Sequence, residues 1–175
     1  FVVAASSADF FIVYCKTNPE GKPHERISLI LIEANREGVE AKHLYNLLGT
    51  RGGGTGRLLF KDVKVPVSNL IGEFNQGALI FNTMMIPERL TSAGGSLGLA
   101  RAALEVATRY SNRRYAFGRK IREYQAISFQ VADAITQLDA ARAITHAAGK
   151  AADKHLPSAR RLVSEAKKYA THICW

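Results

Sequence analysis

Cysteine is nearly absent: Cys15 and Cys174 are the only two in 175 residues. They lie far apart, each in apolar company, so neither a disulfide framework nor a zinc site with cysteine spacing is indicated, and a reducing compartment follows. No apolar run approaches the roughly 18 residues that a membrane-spanning helix needs. Acid is scarce relative to base, with 15 Asp and Glu against 24 Lys and Arg and a net charge of +9. Such an excess invites a nucleic-acid reading, because cations on a protein displace counterions from phosphates. Yet the basic residues run from Lys16 to Lys168 among acids, without the tight cluster and interleaved aromatics of a strand-binding groove. Solvated helix faces are the plainer reading, with a phosphate-bearing small ligand or nucleic acid as the alternative. The glycine-rich Arg51-Gly52-Gly53-Gly54-Thr55-Gly56 lacks the Lys-Ser/Thr of a phosphate loop and precedes a strand, so it reads as a tight turn or flexible loop.

What is present is an ordinary folding composition, 47% apolar and 22% charged, in a chain long enough for a real core. The chain opens on Phe1 inside an apolar run, and a helical pattern persists to Cys174-Trp175, which reads as a piece of a longer polypeptide. Residues 10–15 and 27–32 are rich in β-branched and aromatic side chains, and the turn-forming Asn18-Pro19-Glu20-Gly21 lies between them. They predict an antiparallel pair, and their unbroken apolar character predicts cover on both faces. Residues 39–44 and 57–65 predict two more strands, the second alternating in its latter half, and residues 65–72 lead out of the sheet.

From Gln76 the hydrophobic period changes from two to about 3.6. Pro87 predicts a break or kink near Ile86, since proline lacks the backbone donor a helix interior needs. A helix from about residue 88 to 113 then carries Leu97, Ala100, Leu104, Val106 and Ala107 as its core stripe. An irregular basic connection over 115–123 follows, and a helix from about Tyr124 buries Ile127, Val131, Ile135, Leu138 and Ala141. A last helix runs from about Ser158, after Pro157. The fold class is α+β: an antiparallel sandwich or barrel-like domain over residues 1–73, then an antiparallel helical bundle over residues 74–175, both partial.

Chemistry is expected around Glu88 and Arg89, an acid and a base at a helix start, with the small residues Ser92, Ala93, Gly94 and Gly95 close behind. Small side chains let a bulky ligand approach the backbone. The plainer reading of Glu88 is a helix-start carboxylate favoured by the macrodipole, and that of Arg114 a solvent-facing cation at a helix C-terminus.

Strands, then Val65-Pro66 with Asn69-Leu70-Ile71-Gly72, then a helix, Arg114-Tyr115-Ala116-Phe117-Gly118 and Tyr124-Gln125-Ala126-Ile127 follow one another at intervals that resemble the acyl-CoA dehydrogenases. The resemblance covers practically the whole chain, as part of that family's middle β-domain and the first part of its C-terminal helical domain. It implies FAD as cofactor, with Arg114 reaching the pyrophosphate of a cofactor held mainly by a neighbouring subunit, and with Phe117 and Gln125 as further contacts. A guanidinium offers forked donors to phosphate oxygens, which suits that role. Phe1-Val2-Val3-Ala4 stands where the family usually has Trp-Ile-Thr-Asn, so Phe1 can stack on the flavin while Val3 has no hydroxyl to donate. Gly53-Gly54 stands where many members carry Ser-Asp.

The resemblance further implies α,β-dehydrogenation of an acyl-CoA thioester, with electrons passed to an electron-transferring flavoprotein, in a dimer or tetramer. In most members the α-proton base lies beyond residue 175; isovaleryl-CoA and long-chain acyl-CoA dehydrogenases resemble this chain in placing a glutamate before the arginine of this helix, here Glu88. Arg89 matches a substrate-pocket arginine. Such a base needs a dry, apolar pocket to lift its pKa toward the working pH. Neither a metal, a nucleic acid nor a membrane is implied, and the compartment is a bacterial or archaeal cytoplasm or a mitochondrial matrix. The competing expectations are an acyl-CoA oxidase or flavin monooxygenase of the same fold, a non-catalytic assembly fragment and a basic binding module.

Overall fold

The two runs richest in β-branched and aromatic residues pair with each other. Strands β1 (Phe10–Lys16) and β2 (Ile27–Glu33) are antiparallel, in a register that sets Phe10 opposite Glu33 and Lys16 opposite Ile27. Strands β3 (Val39–Leu44) and β4 (Gly56–Phe60) form a second antiparallel pair. The computed structural model describes residues 1–174, which fall into two compact units, Phe1–Asn82 and Thr83 onward; the end of the bundle expected at Trp175 lies outside the described residues.

Three strand expectations change. Leu70–Ile71 forms β5, which returns to pair with Leu29 and Ile30 of β2, so this segment completes the sheet instead of leaving it. Asn69 fastens the return by donating through Nδ2 to the Leu31 carbonyl at 3.0 Å. The fourth strand stops at Phe60, and the alternating residues after it are not strand, because Asp62 takes a left-handed φ of 50° that ends the extended run. Finally, β1 is covered on one face only within its unit. Phe11 is buried and meets Phe60 of the other sheet edge-to-face at 6.5 Å, whereas Phe10, Ile12 and Tyr14 on the opposite face are exposed. The glycine-rich segment is a 3₁₀ turn, Arg51–Gly53, between left-handed Thr50 and Gly54.

A closed ring of hydrogen bonds joins this sheet to the helix that follows. Thr17 Oγ1 donates to Asn75 Oδ1 at 2.8 Å, so its own proton is committed and it accepts from the fully buried Ser28 hydroxyl at 2.7 Å. Ser28 Oγ in turn accepts the Asn75 backbone N–H at 2.8 Å. Two residues later the helix begins at Gly77, where any Cβ would stand 2.8 Å from the Ile27 carbonyl oxygen. Only glycine permits that approach.

Helix α1 (Gly77–Arg113) runs unbroken through Pro87, contrary to the expected break. Proline removes one backbone donor from a ladder of more than thirty residues, and the flanking turns keep the helix intact; Thr91 Oγ1 also binds the Pro87 carbonyl at 2.9 Å. The expected irregular connection is an antiparallel hairpin, β6 (Tyr115–Ala116) and β7 (Arg119–Lys120), followed by a 3₁₀ turn at Ile121–Glu123. Then come α2 (Gln125–Asp153) and α3 (Ala159–Ile173).

The three helices share a core of Ala93, Ala148, Val163, Ala166 and Ala170, with Ile86, Leu90 and Leu97 packed around it. Alanines at the seam let α2 and α3 approach closely. Leu104 and Ile135 border one surface recess and Ser111 and Ile127 another, so α1 and α2 run antiparallel. Leu138 and Ala141 are buried as the period predicts, but Val106 and Ile135 are 60% and 46% exposed. Both lie on helix faces away from the alanine seam, which this unit leaves uncovered.

Candidate cofactor-binding site

The last turn of α1 leads into a two-residue hairpin loop, Phe117-Gly118, with φ of 48° and 81°. Positive φ at both central residues matches the right-handed twist of the strands, and glycine supplies it without cost. Phenylalanine does not, since a left-handed conformation costs a residue with a Cβ roughly 1–2 kcal/mol. The ring gains nothing local in return: Phe117 is 97% exposed at the hairpin tip.

The hairpin is fastened at both ends. Arg114 N–H donates to the Tyr110 carbonyl and its own carbonyl accepts from Ile121 N–H, each at 2.9 Å. Tyr124 reaches back from the start of α2, its hydroxyl 2.9 Å from the Ala116 carbonyl oxygen and 3.3 Å from that of Phe117. Gln125, the first residue of α2, is exposed, and among the described residues no side-chain cap hydrogen bond is made at this helix N-terminus.

The basic residues of the junction are not equivalent. The Arg119 guanidinium lies 4.0 Å above the Tyr124 ring, Arg122 donates to Asn112 Oδ1 at 2.6 Å, and Lys120 sits 6.0 Å from the Tyr115 ring. The Arg114 guanidinium makes no hydrogen bond or ion pair among the described residues and is exposed. An unengaged forked donor, an unburied aromatic ring and an uncapped helix N-terminus at one end of a bundle suit an anionic ligand that also carries a flat apolar part. Three of the expected residues, Arg114, Phe117 and Gln125, thus lie on the hairpin flank, its tip and the helix start that Tyr124 joins.

Glu88 and Arg89 lie together on α1 but well inside it, not at a helix start, so the macrodipole account of Glu88 does not hold. Successive helical residues point about 100° apart. Arg89 is half-buried and reaches toward Ser164 of α3, Nη1 to Oγ 3.4 Å, while Glu88 is exposed and accepts from the Ser92 hydroxyl at 3.2 Å. The dry pocket expected around Glu88 is not formed by this unit. Beside it, Gly94, Gly95 and Gly98 face open space where a Cβ would meet nothing within 4 Å.

Phe1 belongs to the other unit and stands 91% exposed, its ring 4.7 Å from that of Tyr45. The neighbouring Val2 exchanges two backbone hydrogen bonds of 2.9 Å with Gly56, which holds the segment against β4. Val2, Val3, Phe10, Ile12, Tyr14 and Phe60 border an apolar recess of about 520 Å³.

A family profile, the C-terminal domain of acyl-CoA dehydrogenase, matches residues 75–175, more than half of the chain. The chain belongs to the acyl-CoA dehydrogenase family. This family member is 34% identical over 174 residues to the caffeyl-CoA reductase-Etf complex subunit CarC of Acetobacterium woodii, covering 99% of the chain and 45% of that relative. It is 36% identical over 155 residues to the mitochondrial isovaleryl-CoA dehydrogenase of Pongo abelii, covering 88% and 37%. The solved structure of butyryl-CoA dehydrogenase from Megasphaera elsdenii superposes with a TM-score of 0.91 at 31% identity, over 99% of this chain and 45% of that one. The chain thus spans less than half the length of these relatives.

Sequence reasoning missed the Tyr124 latch and the hairpin it holds. A Gly preceded by three residues and followed by a basic pair is a faint hairpin signal beside Asn-Gly, because Phe at the first turn position argues against positive φ. No helix of the described residues is long and apolar enough to cross a membrane. Cys15 and Cys174 are free thiols, and burial pushes the Cys15 thiol up from its ordinary pKa.

Proposed function

We propose that this chain is the segment of an FAD-dependent acyl-CoA dehydrogenase that supplies the far-end cofactor contacts and the helix flanking the reacting carbons. The observation that carries the reading is the exposed Arg114 and Phe117 on a latched hairpin, with the other cations of the hairpin engaged elsewhere. Arg114 binds the cofactor pyrophosphate, Phe117 covers an apolar part of it and Gln125 adds a polar contact, to FAD held mainly by a neighbouring subunit of a dimer or tetramer. Phe1 stacks at the flavin end.

The reaction is the α,β-dehydrogenation of an acyl-CoA thioester. Glu88 takes the α-proton onto a carboxylate oxygen, the Cα–H pair becomes the new carbon–carbon π bond, and the hydride leaves the β-carbon. FAD, when bound, supplies the hydride acceptor. Ser92 steadies Glu88 Oε1, and Arg89 lines the acyl pocket. The electrons pass on to an electron-transferring flavoprotein, in a reducing cytoplasm or a mitochondrial matrix.

The test is Arg114→Ala in the full-length protein. Loss of a charge-assisted phosphate contact costs about 1.5–3 kcal/mol, so FAD affinity falls roughly 10- to 150-fold. Unchanged affinity refutes the cofactor role of the hairpin. Anaerobic reduction by acyl-CoA with a dye acceptor, set against peroxide formation in air, separates a dehydrogenase from an oxidase.

A further inference from the structure

Tyr124 occupies a pivot. Its backbone starts α2, immediately before Gln125, while its hydroxyl lies 2.9 Å from the Ala116 carbonyl and 3.3 Å from the Phe117 carbonyl, eight and seven residues back. A phenol has one proton, so it is shared between these two acceptors, one on either side of the bend into the turn. The ring is held in turn by the Arg119 guanidinium at 4.0 Å, which closes the hairpin's second strand over it. Phe117 sits at a φ of 48°, a conformation its own preferences resist, so something outside the turn must hold it there. Among the described residues the Tyr124 hydroxyl is the side-chain donor that reaches the Phe117 carbonyl.

We propose that Tyr124 is a positioning residue for the cofactor: its hydroxyl locks the Tyr115–Lys120 hairpin to the start of α2, so that Arg114, Phe117 and Gln125 meet the ligand as one preformed surface. The inference rests on the cofactor role assigned to that hairpin. Preorganisation of this kind changes affinity, not the chemical step, since a loosened hairpin must be ordered when the ligand binds.

The experiment uses the full-length protein with FAD as probe. Tyr124→Phe keeps the ring beneath Arg119 and removes only the hydroxyl, and Tyr124→Leu removes both. Tyr124→Phe is expected to weaken FAD about three- to tenfold, the size of one neutral hydrogen bond. The kcat at saturating FAD stays at the parent value, a split between affinity and turnover that a general structural loss would not produce, while the apoprotein loses no more stability than the hydrogen bond itself supplies. Combined with Arg114→Ala, it should add less than its separate effect, because both act on the same contact. Parent-like FAD affinity in Tyr124→Phe, with loss only in Tyr124→Leu, overturns the latch; so does a fall in kcat at saturating FAD. If Arg114→Ala weakens FAD and Tyr124→Phe does not, the latch alone fails; if Arg114→Ala has no effect, the cofactor reading fails with it.

Discussion

Replacing Phe117 by Asn should move stability and cofactor affinity in opposite directions. Phe117 holds a φ of 48° beside Gly118 at 81°, and its ring is 97% exposed, so substitution forfeits no local burial. Asn visits the left-handed region far more readily, and Asn-Gly is a favoured dipeptide for such a loop. Recovering half of the roughly 1–2 kcal/mol that the conformation costs a bulky residue gives a gain of about 0.5–1 kcal/mol. In the full-length protein, more than twice the length of this chain if it matches its relatives, that raises the midpoint by roughly 1–2 °C at most. The ring that would cover the cofactor is gone, however. Burying a phenylalanine contributes about 1.5–3 kcal/mol, so FAD should bind roughly 10- to 150-fold more weakly. The full-length variant is assayed by thermal unfolding of the apoprotein and by FAD titration. A lowered midpoint would refute the strain argument, and unaltered FAD affinity would refute the role of the ring.

Ser28→Ala breaks the hydrogen-bonded ring with Thr17 and Asn75 and leaves the Asn75 N–H without its acceptor; a loss of about 1–3 kcal/mol is expected in urea unfolding, and a neutral result would show that the ring does not anchor the helix start. Glu33 is held below the ordinary carboxylate pKa by a backbone hydrogen bond of its own residue, then by Arg36 and Asn69. A depressed folded pKa means stability that is present above the unfolded value and lost as pH falls through the folded one. The stability difference between the parent and Glu33→Gln should therefore be constant at neutral pH and shrink below about pH 4.5, which unfolding curves from pH 6 to 3 would show. Glu88→Gln in the full-length protein should slow anaerobic flavin reduction by at least about 10²-fold with FAD content normal, and reduction at the parent rate would assign Glu88 to the surface and the base to a later residue.

The sequence by itself determined the order of elements and the change of architecture near Gln76, because hydrophobic period is a local property. Residues 10–15 and 27–32 could pair only as strands, and the step from alternation to a helical repeat survives any packing. It also carried the motifs of the hairpin, since Arg114, Phe117 and Gln125 lie within twelve residues of one another. What it misjudged depended on neighbours distant along the chain. Pro87 is a breaker in isolation, yet the helix continues on both sides of it. Val106 and Ile135 are apolar at plausible core positions, yet the alanine seam of Ala93, Ala148 and Ala166 sets which stripe is inside. The same holds for the site. Adjacent in sequence, Glu88 and Arg89 diverge once the helix places one toward solvent and the other toward Ser164. Only the tertiary structure decided that Arg119 and Arg122 are engaged by Tyr124 and Asn112 while the Arg114 guanidinium has no partner among the described residues, because a cation's availability is set by what stands beside it in space.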